Sequence, residues 1–317
     1  MDECDAQILR ILLKDSRTSL TEISEEASLS RFAVRGRIKR LFVDGIILGP
    51  TIVVDPSTVG IRRTAFLELK TNPHEPWLAK MLEESSSCDL LDGIAGEFSL
   101  FGRLRLIDDE HFSRVLKRID DTMARSYFKK YRVVNAIKIY KESGVAFQTK
   151  PQESSEVDSV DLKLLRVLLN QADEANSPLP LSTVALSRQL RDFDVDLSQP
   201  AVFNRLSRLE KRGIILRHTL RIDYSKLGLR TKFITRIKVN PNVYDKVARE
   251  FLALMPEIFD LYRTGEEYGL LATVRVKDAS EYNSFLLRLY DSKDTIDTHT
   301  TLVLEKRKDS TLSLEKD

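Results

Sequence analysis

Cysteine and long apolar runs are both scarce in this chain, and each scarcity excludes a class of protein. The two cysteines, Cys4 and Cys88, are far apart and form no Cys-x-x-Cys pattern, so we expect neither a disulfide framework nor a metal clip. No run approaches the roughly 20 apolar residues that span a bilayer, and the acidic N-terminus has no apolar signal region. These features predict a cytoplasmic protein that does not contact a membrane.

Motifs for catalysis are also missing. The chain has no GxSxG, no P-loop and no GxGxxG sequence. Its histidines stand in four different contexts, none beside a Cys, Glu or second His at metal-binding spacing: His74, His111, His218 and His299. We therefore predict no catalytic residue, no metal site and no cofactor, which indicates a protein that is not an enzyme.

Charge is nearly balanced overall but unevenly distributed along the chain. The formal net charge is +2, yet Ser28 to Arg63 holds seven basic residues against two acidic ones, and Ser198 to Lys232 holds nine against two. The stretch before Ser28 is acidic instead. Local asymmetry of this kind matters more for partners than the total charge, and it favours nucleic acid as a partner of the two basic segments.

These basic segments contain an internal repeat. Residues 37–47 read RIKRLFVDGII and residues 205–215 read RLSRLEKRGII, with six of eleven positions identical. Each copy is the end of a basic amphipathic helix, followed by a glycine stop and a short β run. A helix, a tight glycine turn and a β-hairpin form a winged helix, which is most often a DNA-binding module, so we predict two copies of that unit.

Local signals place three helices in the first copy. Asp5 is the predicted N-cap of the first helix, Ser19 with Glu22 forms a capping box for the second, and Ser30 caps the third. Gly45 ends the third helix, and residues 46–55 are predicted to form a β-hairpin that bends at Gly49-Pro50. The second copy gains about five residues before its second helix and seven in the turn before its third.

After each winged helix the pattern changes to βαββαβ, which is typical of a ferredoxin-like domain. A polar segment over 144–159 has no period and is predicted to be a linker. The fold class is therefore α+β, with two winged helix-turn-helix domains alternating with two ferredoxin-like domains. The predicted boundaries are winged helix 1–60, ferredoxin-like 61–143, linker 144–159, winged helix 160–228, ferredoxin-like 229–308 and a polar tail 309–317.

The opening Asp-x-x-x-Leu/Ile-Leu helix, the sequence SLSRFAVRGRIKRLFVDGIILG, the βαββαβ order and the hairpin DLYRTGEEYGLLATV together resemble the Lrp/AsnC family of transcription regulators. The resemblance covers nearly the whole chain, twice, and implies a tandem fusion. It also implies a helix-turn-helix domain and an effector-sensing domain, often called RAM, that dimerises. The family's hairpin Asp is replaced by Ser99 in the first copy and by Gly269 in the second.

The third helix of each copy is the candidate DNA-reading element. With Val34, Ile38 and Leu41 inward, the side chains near its N-terminus face outward, where Arg can read guanine and Gln or Asn can read adenine. Arg37 and Arg40 either touch phosphate or brace the fold. The candidate DNA-binding residues are Ser30, Arg31, Phe32, Arg35, Arg37, Lys39, Arg40, Ser198, Gln199, Asn204, Arg205 and Arg208.

The β-hairpin of each ferredoxin-like domain is the candidate effector site. Glycine allows close backbone approach, and a carboxylate beside a hydroxyl can hold an amino acid or another polar metabolite. A plain turn at a dimer interface explains the same residues equally well. The candidate effector-binding residues are Gly96, Glu97, Phe98, Ser99, Thr264, Gly265, Glu266 and Tyr268.

The sequence thus predicts a regulator that binds double-stranded DNA, responds to a small molecule and forms a homodimer or a higher homo-oligomer. Two alternatives remain open. Siroheme decarboxylases are similar to this family in fold and can be fused in tandem, and Arg103 and Arg105 are the basic residues that such an enzyme would use. The other alternative is a corepressor-like interaction protein without specific DNA binding.

Overall fold

The computed structural model describes residues 1–147, 157–173, 177–310, Leu312 and Leu314. The chain divides into two compact units, each built from two separate segments. The first unit comprises Met1–Val59 with Lys150–Gly228, and the second comprises Gly60–Thr149 with Leu229–Asp317. No helix in these described ranges is long and apolar enough to cross a membrane.

The secondary structure alternates between helical and mixed segments along the chain. The helices are α1 (Glu3–Lys14), α2 (Leu20–Glu26), α3 (Arg31–Val43), α4 (Pro76–Glu83), α5 (Asp109–Met123), α6 (Ser159–Asn170), α7 (Thr183–Leu190), α8 (Gln199–Lys211), α9 (Tyr244–Lys246) and α10 (Ala279–Asp291). The strands are β1 (Ile47–Val54), β2 (Arg63–Leu69), β3 (Cys88–Ile94), β4 (Leu100–Leu106), β5 (Tyr131–Glu142), β6 (Val145–Ala146), β7 (Ile215–Ile222), β8 (Thr231–Val239), β9 (Ile258–Thr264), β10 (Leu270–Val276) and β11 (Thr295–Asp309).

The first unit contains α1–α3 with β1 and α6–α8 with β7. The predicted β-hairpins are wrong: β1 is one continuous strand, and it pairs antiparallel with β7 from Ile47 opposite Ile222 to Val54 opposite Ile215. Each strand therefore finds its hydrogen-bond partner in the other copy rather than in its own chain segment. Gly49 and Pro50 lie inside the ribbon, and Pro50 faces Leu220. Pairing of two equivalent strands supplies the backbone partners that a local bend would otherwise have supplied.

Two matching side-chain contacts fix this ribbon on the helices of the first unit. The Thr51 hydroxyl donates to the Leu169 carbonyl at 3.1 Å, and the Thr219 hydroxyl donates to the Leu13 carbonyl at 3.0 Å. Each β strand thus attaches to the first helix of the opposite copy. The β1–β7 ribbon therefore links α1–α3 and α6–α8 into one folded unit.

The first helix begins earlier than the sequence suggested. Asp2, not Asp5, is the N-cap of α1, and Asp5 is the third residue of the helix, where its side chain returns the hydrogen bond in a capping box. Two aspartates three residues apart satisfy the same local pattern, so the cap position was ambiguous. The capping box of Ser19 with Glu22 and the cap at Ser30 are confirmed.

The core of the first copy follows the predicted inward faces. Val34, Ile38 and Leu41 of α3 are buried with apolar residues of α1 and α2. Leu220 and Ile222 of β7 belong to the same cluster, so a strand from the second copy completes the first copy's core.

The second unit is a closed eight-stranded barrel. Its strand order is β2-β4-β3-β11-β8-β10-β9-β5, and an additional β2–β5 pairing closes the ring. Within each copy the order is that of a ferredoxin-like βαββαβ sheet, and the two sheets join where β11 pairs with β3 and β5 pairs with β9. The short strand β6 pairs with β5 outside the ring.

Alternate side chains on the strands pack in opposite directions. One set packs with α4 and α5 around Leu67 and Leu104, and its counterpart packs with α10 and the helical turns after β8. The other set forms a cluster that draws on both copies, with Phe66 and Phe101 beside Ile234 and Tyr262. The period-2 alternation of the strands therefore serves an outer helical layer and an inner, shared core.

Some predicted bounds need correction. The apolar periodicity of the sequence predicts a helix from Pro73 to about Ser85 and another from Asp109 to about Phe128, but α4 begins at Pro76 and α5 ends at Met123. The sequence also predicts a helix from about Val243 to Met255, whereas this segment is irregular, with α9 continuing into a π turn and a 3-10 turn. The predicted linker is not structureless at its start, because β6 pairs with β5 and Phe147 is buried; residues 148–156 of that linker lie outside the described part of the chain.

Candidate DNA and effector sites

The N-terminal part of α3 presents an exposed cationic face. Ser30 caps the helix by accepting a hydrogen bond from the Ala33 amide. Arg31, Arg35 and Lys39 are exposed beside Phe32, whose side chain is 88% accessible. Within the described residues, none of the three cations forms an ion pair, so their charges are not neutralised by the fold. This is the arrangement expected of a helix that approaches a phosphate backbone.

Arg37 and Arg40 have a different role. The Arg37 guanidinium contacts Asp2 at 2.6 Å and Asp5 at 2.8 Å, while Arg40 contacts Asp5 at 2.7 Å. The Asp5 side chain is 1% exposed, so this carboxylate is buried between two arginines. The hydrogen bond from Arg37 lowers the pKa of Asp2 to about 2. Of the two roles predicted for these arginines, the structure shows bracing of α3 against α1.

The second copy repeats this brace. Arg205 contacts Asp158 at 2.6 Å and Asp161 at 2.7 Å, and Arg208 contacts Asp161 at 2.6 Å. Asp161 is fully buried. Arg205 and Arg208 therefore hold α8 on α6, which argues against the DNA contacts predicted for these two residues.

The exposed face of α8 lacks the cations of α3. In the repeat alignment Arg31, Arg35 and Lys39 correspond to Gln199, Phe203 and Ser207. Ser198 caps α8 as predicted, and Gln199 and Asn204 are exposed. A 3-10 turn over Arg191–Phe193 lengthens the connection from α7, and Asp194 follows it with φ of 57°. The two three-helix sets, α1–α3 and α6–α8, thus differ both in the charge of the third helix and in the connection before it.

Basic residues near the ribbon are also engaged within the fold. Arg221 pairs with Asp173 and His218 with Glu210 in the first unit, and Arg63 pairs with Asp109 in the second. These contacts disfavour a role of the three side chains in gripping phosphate. The cationic face of α3 remains the strongest candidate DNA contact.

The first candidate effector hairpin is closed by its own contacts. Glu97 pairs with Lys130 at 2.5 Å, and the Ser99 hydroxyl accepts from the Thr71 amide at 3.2 Å. Phe98 is buried in the shared core, with the Lys130 and Arg132 cations over its ring. Gly96 has φ of 122°, in the region that favours glycine. Of the four predicted residues, Phe98 is a core residue, and Glu97 and Ser99 have partners within the fold.

The second hairpin is filled by an arginine. Arg263 donates to the carbonyl of Gly269 at 2.7 Å and its guanidinium stacks on the Tyr244 ring at 3.4 Å. A Cβ added at Gly269 would meet Arg263 Nη1 at 1.8 Å, so a side chain at the position of the family's hairpin Asp would displace the Arg263 guanidinium.

The other residues predicted at this second hairpin either form hydrogen bonds within the fold or are at least partly exposed to solvent. The Thr264 hydroxyl is buried and donates to the Tyr268 carbonyl at 3.2 Å. The Tyr268 hydroxyl donates to Asp297 at 2.6 Å, and this bond raises the pKa of Tyr268. Gly265 is exposed and Glu266 is half-buried.

A buried charge network lies among the strands of the second unit. Asp89 accepts from Arg103 Nε and Arg105 Nε at 2.8 Å each, and Arg103 Nη1 also donates to the Tyr262 hydroxyl at 2.8 Å. Burial alone would raise the pKa of Asp89, but Arg103 and Arg105 together hold it below its ordinary value. Arg105 also bonds Glu142. The network joins β3 and β4 of one copy to β9 of the other.

In the described ranges no group of His, Cys, Asp and Glu side chains could hold a metal ion.

Sequence reasoning missed one cluster, in which Glu210 accepts from Arg17 and from His218. The signal for it was available, because Glu210 stands where the first copy of the repeat has Phe42.

Comparison with known proteins identifies the family. Residues 1–41 match the model of the AsnC-type helix-turn-helix domain, and residues 232–313 match the Lrp/AsnC ligand binding domain. An uncharacterized HTH-type transcriptional regulator of Pyrococcus horikoshii is 32% identical over 152 residues, which are 47% of this chain and 98% of the relative. The chain belongs to the Lrp/AsnC family. Its resemblance to these regulators, inferred above from the repeat and the hairpin, is confirmed.

This Lrp/AsnC chain is also similar to a second relative and, in fold, to a solved structure. The DNA-binding transcriptional activator DecR of Escherichia coli K12 is 28% identical over 123 residues, which are 38% of this chain and 81% of that protein. The crystal structure of the siroheme decarboxylase NirDL matches 98% of this chain and 94% of its own with a TM-score of 0.66 and 14% identity. At that identity the match shows a shared fold alone.

Proposed function

We propose that this Lrp/AsnC-type regulator binds double-stranded DNA specifically through α3, and that the chain is a fusion of two family units that pair within one molecule. The observation that supports the DNA contact is the exposed cationic face of Arg31, Arg35 and Lys39, which form no ion pair with the residues that the structure describes. The fusion is supported by the matching Asp-to-Arg braces and by the β1–β7 ribbon.

Substitution of the two N-terminal arginines tests this proposal. Arg31→Ala with Arg35→Ala should lower operator affinity by at least about tenfold, because a base-reading arginine contributes about 1–3 kcal/mol. The matched control in the same fold is Gln199→Ala with Asn204→Ala on α8. Operator fragments from genome-wide binding and an electrophoretic shift assay provide the measurement. Equal affinity of the arginine variant and the wild type would overturn the assignment.

The second helix-turn-helix is proposed to contribute less to affinity. Its exposed face offers Gln199 and Asn204, which can read adenine but do not release counterions from phosphate. The control variant should therefore change sequence preference while leaving the salt dependence of binding nearly as in the wild type.

We further propose that a small metabolite, such as an amino acid, modulates DNA binding at the first hairpin. The second hairpin is occupied by Arg263, whereas the first keeps the Ser99 hydroxyl and the Glu97 carboxylate beside Gly96. A ligand acts on DNA affinity only if it binds two arrangements of the protein unequally. Calorimetry against the common amino acids is the test, and Ser99→Ala with Glu97→Ala should weaken the response without changing basal DNA binding.

Association of two chains in the cytoplasm completes the proposal. The single chain already pairs its sheets, yet Ile137 and Leu304 at corresponding places on β5 and β11 remain about two-thirds exposed, and Leu302 is also accessible. A homodimer that covers these apolar side chains would carry four helix-turn-helix motifs. Light scattering at micromolar concentration should show twice 36.3 kDa, and a species of 36.3 kDa alone would contradict the dimer.

The alternative enzyme function has one supporting observation, the whole-chain fold match to a siroheme decarboxylase. Against it stand Arg103 and Arg105, whose guanidinium groups are engaged by Asp89 and Glu142. Titration with an iron porphyrin, followed by absorbance near 400 nm, decides between them, since a regulator of the proposed kind should give no saturable shift.

The corepressor-like alternative is tested by the same DNA preparation. Binding that weakens steeply with added salt indicates phosphate contacts, whereas a protein that acts only on other proteins should give no shift at low salt.

A further inference from the structure

A cavity of about 450 Å³ lies in the first unit beside the second helix-turn-helix. This volume is within the range of about 300–1,000 Å³ that is typical of small-molecule sites. Its walls come from α6, α7, α8, β1 and β7 and from the turn after α1. The apolar lining residues include Pro50, Ile52, Leu168, Leu186, Phe203 and Leu206.

One end of this cavity is polar. Glu210 accepts from Arg17 Nη1 at 2.5 Å and pairs with His218 Nε2 at 3.0 Å, and all three residues line the space. Both hydrogen bonds end on Oε1 of the carboxylate, so in the described residues Oε2 remains available as an acceptor. Asp15 lies 3.6 Å from the Arg17 guanidinium and adds a second negative charge.

The electrostatics of this end favour one class of ligand. His218 is buried, which lowers the pKa of its imidazole and keeps the ring neutral at neutral pH, although Glu210 opposes this. Two carboxylates then face one guanidinium. A ligand that brings a further carboxylate meets net negative charge, whereas a ligand that brings an ammonium or a neutral N–H or O–H donor does not.

The cavity coincides with a break in the internal repeat. Glu210 corresponds to Phe42, whose ring packs against the core of the first copy. His218 likewise corresponds to Pro50 of β1. The second copy thus has a carboxylate where the first copy has a core ring, and His218 beside it where the first copy has a proline, at the place where the cavity opens.

We propose that this cavity binds a neutral or cationic small molecule that has an apolar ring or branched chain and a hydrogen-bond donor directed at Glu210. The site is separate from the hairpins of the sensing domains. It is lined by Thr183 and Leu186 of α7 and by Phe203 and Leu206 of α8, the two helices of one helix-turn-helix. An occupant contacts both helices and so fixes their relative placement; the resulting change in DNA affinity rests on the proposed function.

A pair of probes with the same phenylethyl group and opposite charge tests the charge preference. 2-Phenylethylamine combines an aromatic ring with an ammonium, and 3-phenylpropionate combines the same ring with a carboxylate. Calorimetry with the full-length protein should show millimolar or tighter binding of the amine and at least about tenfold weaker binding of the acid. No heat with the amine, or equal affinity for both probes, would overturn the proposal.

Three variants locate the site. Glu210→Phe introduces the first copy's residue and should abolish amine binding, and Ser207→Leu should weaken it by narrowing the cavity while leaving the Arg17–Glu210–His218 contacts intact. Glu210→Gln should keep the cavity and reduce the preference for the amine over the acid. Glu110→Gln, at an exposed position of α5 in the second unit, is the control and should bind as the wild type does.

The outcomes are distinguishable from those of the DNA proposal. Thermal unfolding identifies any variant that fails to fold, and Ser207→Leu then carries the test alone. Unchanged amine binding in both Ser207→Leu and Glu210→Phe would place the probe elsewhere and reject the site. Amine binding without any effect on the electrophoretic shift supports the site and counts only against its coupling to DNA.

Discussion

At the scale of single residues, the buried carboxylates Asp5 and Asp161 organise the two helix-turn-helix motifs. Each accepts from two arginines of the third helix, one turn apart, and each lies in the first turn of its own helix. The sequence showed the arginines and the aspartates but not their partnership. Arginine at a helix surface suits phosphate and carboxylate equally well, and only the tertiary fold decides which it meets.

Neutralisation of Asp5 should destabilise the first unit. Asp5→Asn leaves Arg37 and Arg40 without their buried acceptor, and because both arginines are partly exposed and can relax into solvent, we expect a loss of about 1–2 kcal/mol. Urea unfolding measures this loss. Asp2→Asn is the matched control, since Asp2 is exposed and its removal should cost less; an equal loss from both variants would show that burial of Asp5 is unimportant.

The buried imidazole of His218 should make stability depend on pH. Burial is the main cause of its lowered pKa, followed by the charge of Arg17, while Glu210 and Asp15 oppose the shift. A histidine with a folded pKa below its ordinary 6.5 takes up a proton more readily when unfolded, so the stability it provides is present above pH 6.5 and is lost as the pH falls below it.

Urea midpoints at pH 7 and at about pH 5.5 measure this dependence. The wild type should lose more stability between the two pH values than His218→Gln, in which the titrating group is removed. An identical loss in both proteins would assign the acid sensitivity to other groups.

At the scale of elements, local signals predicted the helices better than the strands. The capping box at Ser19 and the caps at Ser30 and Ser198 each depend on residues three positions apart, which the sequence displays directly. The partner of β1 is instead a strand 168 residues away, and the pattern of an extended run is the same whether it bends on itself or pairs with a distant copy. The wrong hairpin and the missed ribbon have that single cause.

Removal of the N-cap of α3 or of α8 should lower stability by a similar amount in each variant but should lower DNA affinity unequally. Ser30→Ala and Ser198→Ala each remove an acceptor for an amide in the first turn, at a cost of about 1 kcal/mol of stability. Fraying at Ser30 also displaces Arg31, so that variant should lose more operator affinity. Denaturation and an electrophoretic shift assay on both variants provide the comparison, and equal DNA affinities would argue against α3 as the main reading helix.

At the scale of the whole molecule, neither copy is complete alone. The barrel closes only because β11 joins β3 and β5 joins β9, and the apolar cluster inside draws on Phe66 of one copy and Ile234 of the other. The order of βαββαβ elements was readable from the sequence. Whether the sheets would pair within one chain or between two chains was not, because identical faces satisfy either arrangement.

A fragment that contains only one copy should therefore expose surfaces that promote self-association. A fragment of residues 1–147 presents the unpaired edges of β1, β3 and β5 together with half of the inner cluster, and unpaired edges and apolar faces promote association. Size-exclusion chromatography with light scattering should show dimers or larger species. A stable, folded monomer would indicate that each copy supports its own core.

The covalent joining of the copies also changes how they can evolve. In a homodimer every mutation appears twice and must suit a self-complementary interface, and subunits can exchange with those of related proteins. Here a substitution appears once, so the two copies can differ at equivalent positions, as Phe42 of α3 and Glu210 of α8 do. Because the two copies are covalently linked, each copy keeps the same partner and does not exchange it for a subunit of a related protein. If both third helices contact DNA as proposed, we expect a non-palindromic operator, with one half-site facing the cations of α3 and the other facing the amides of α8.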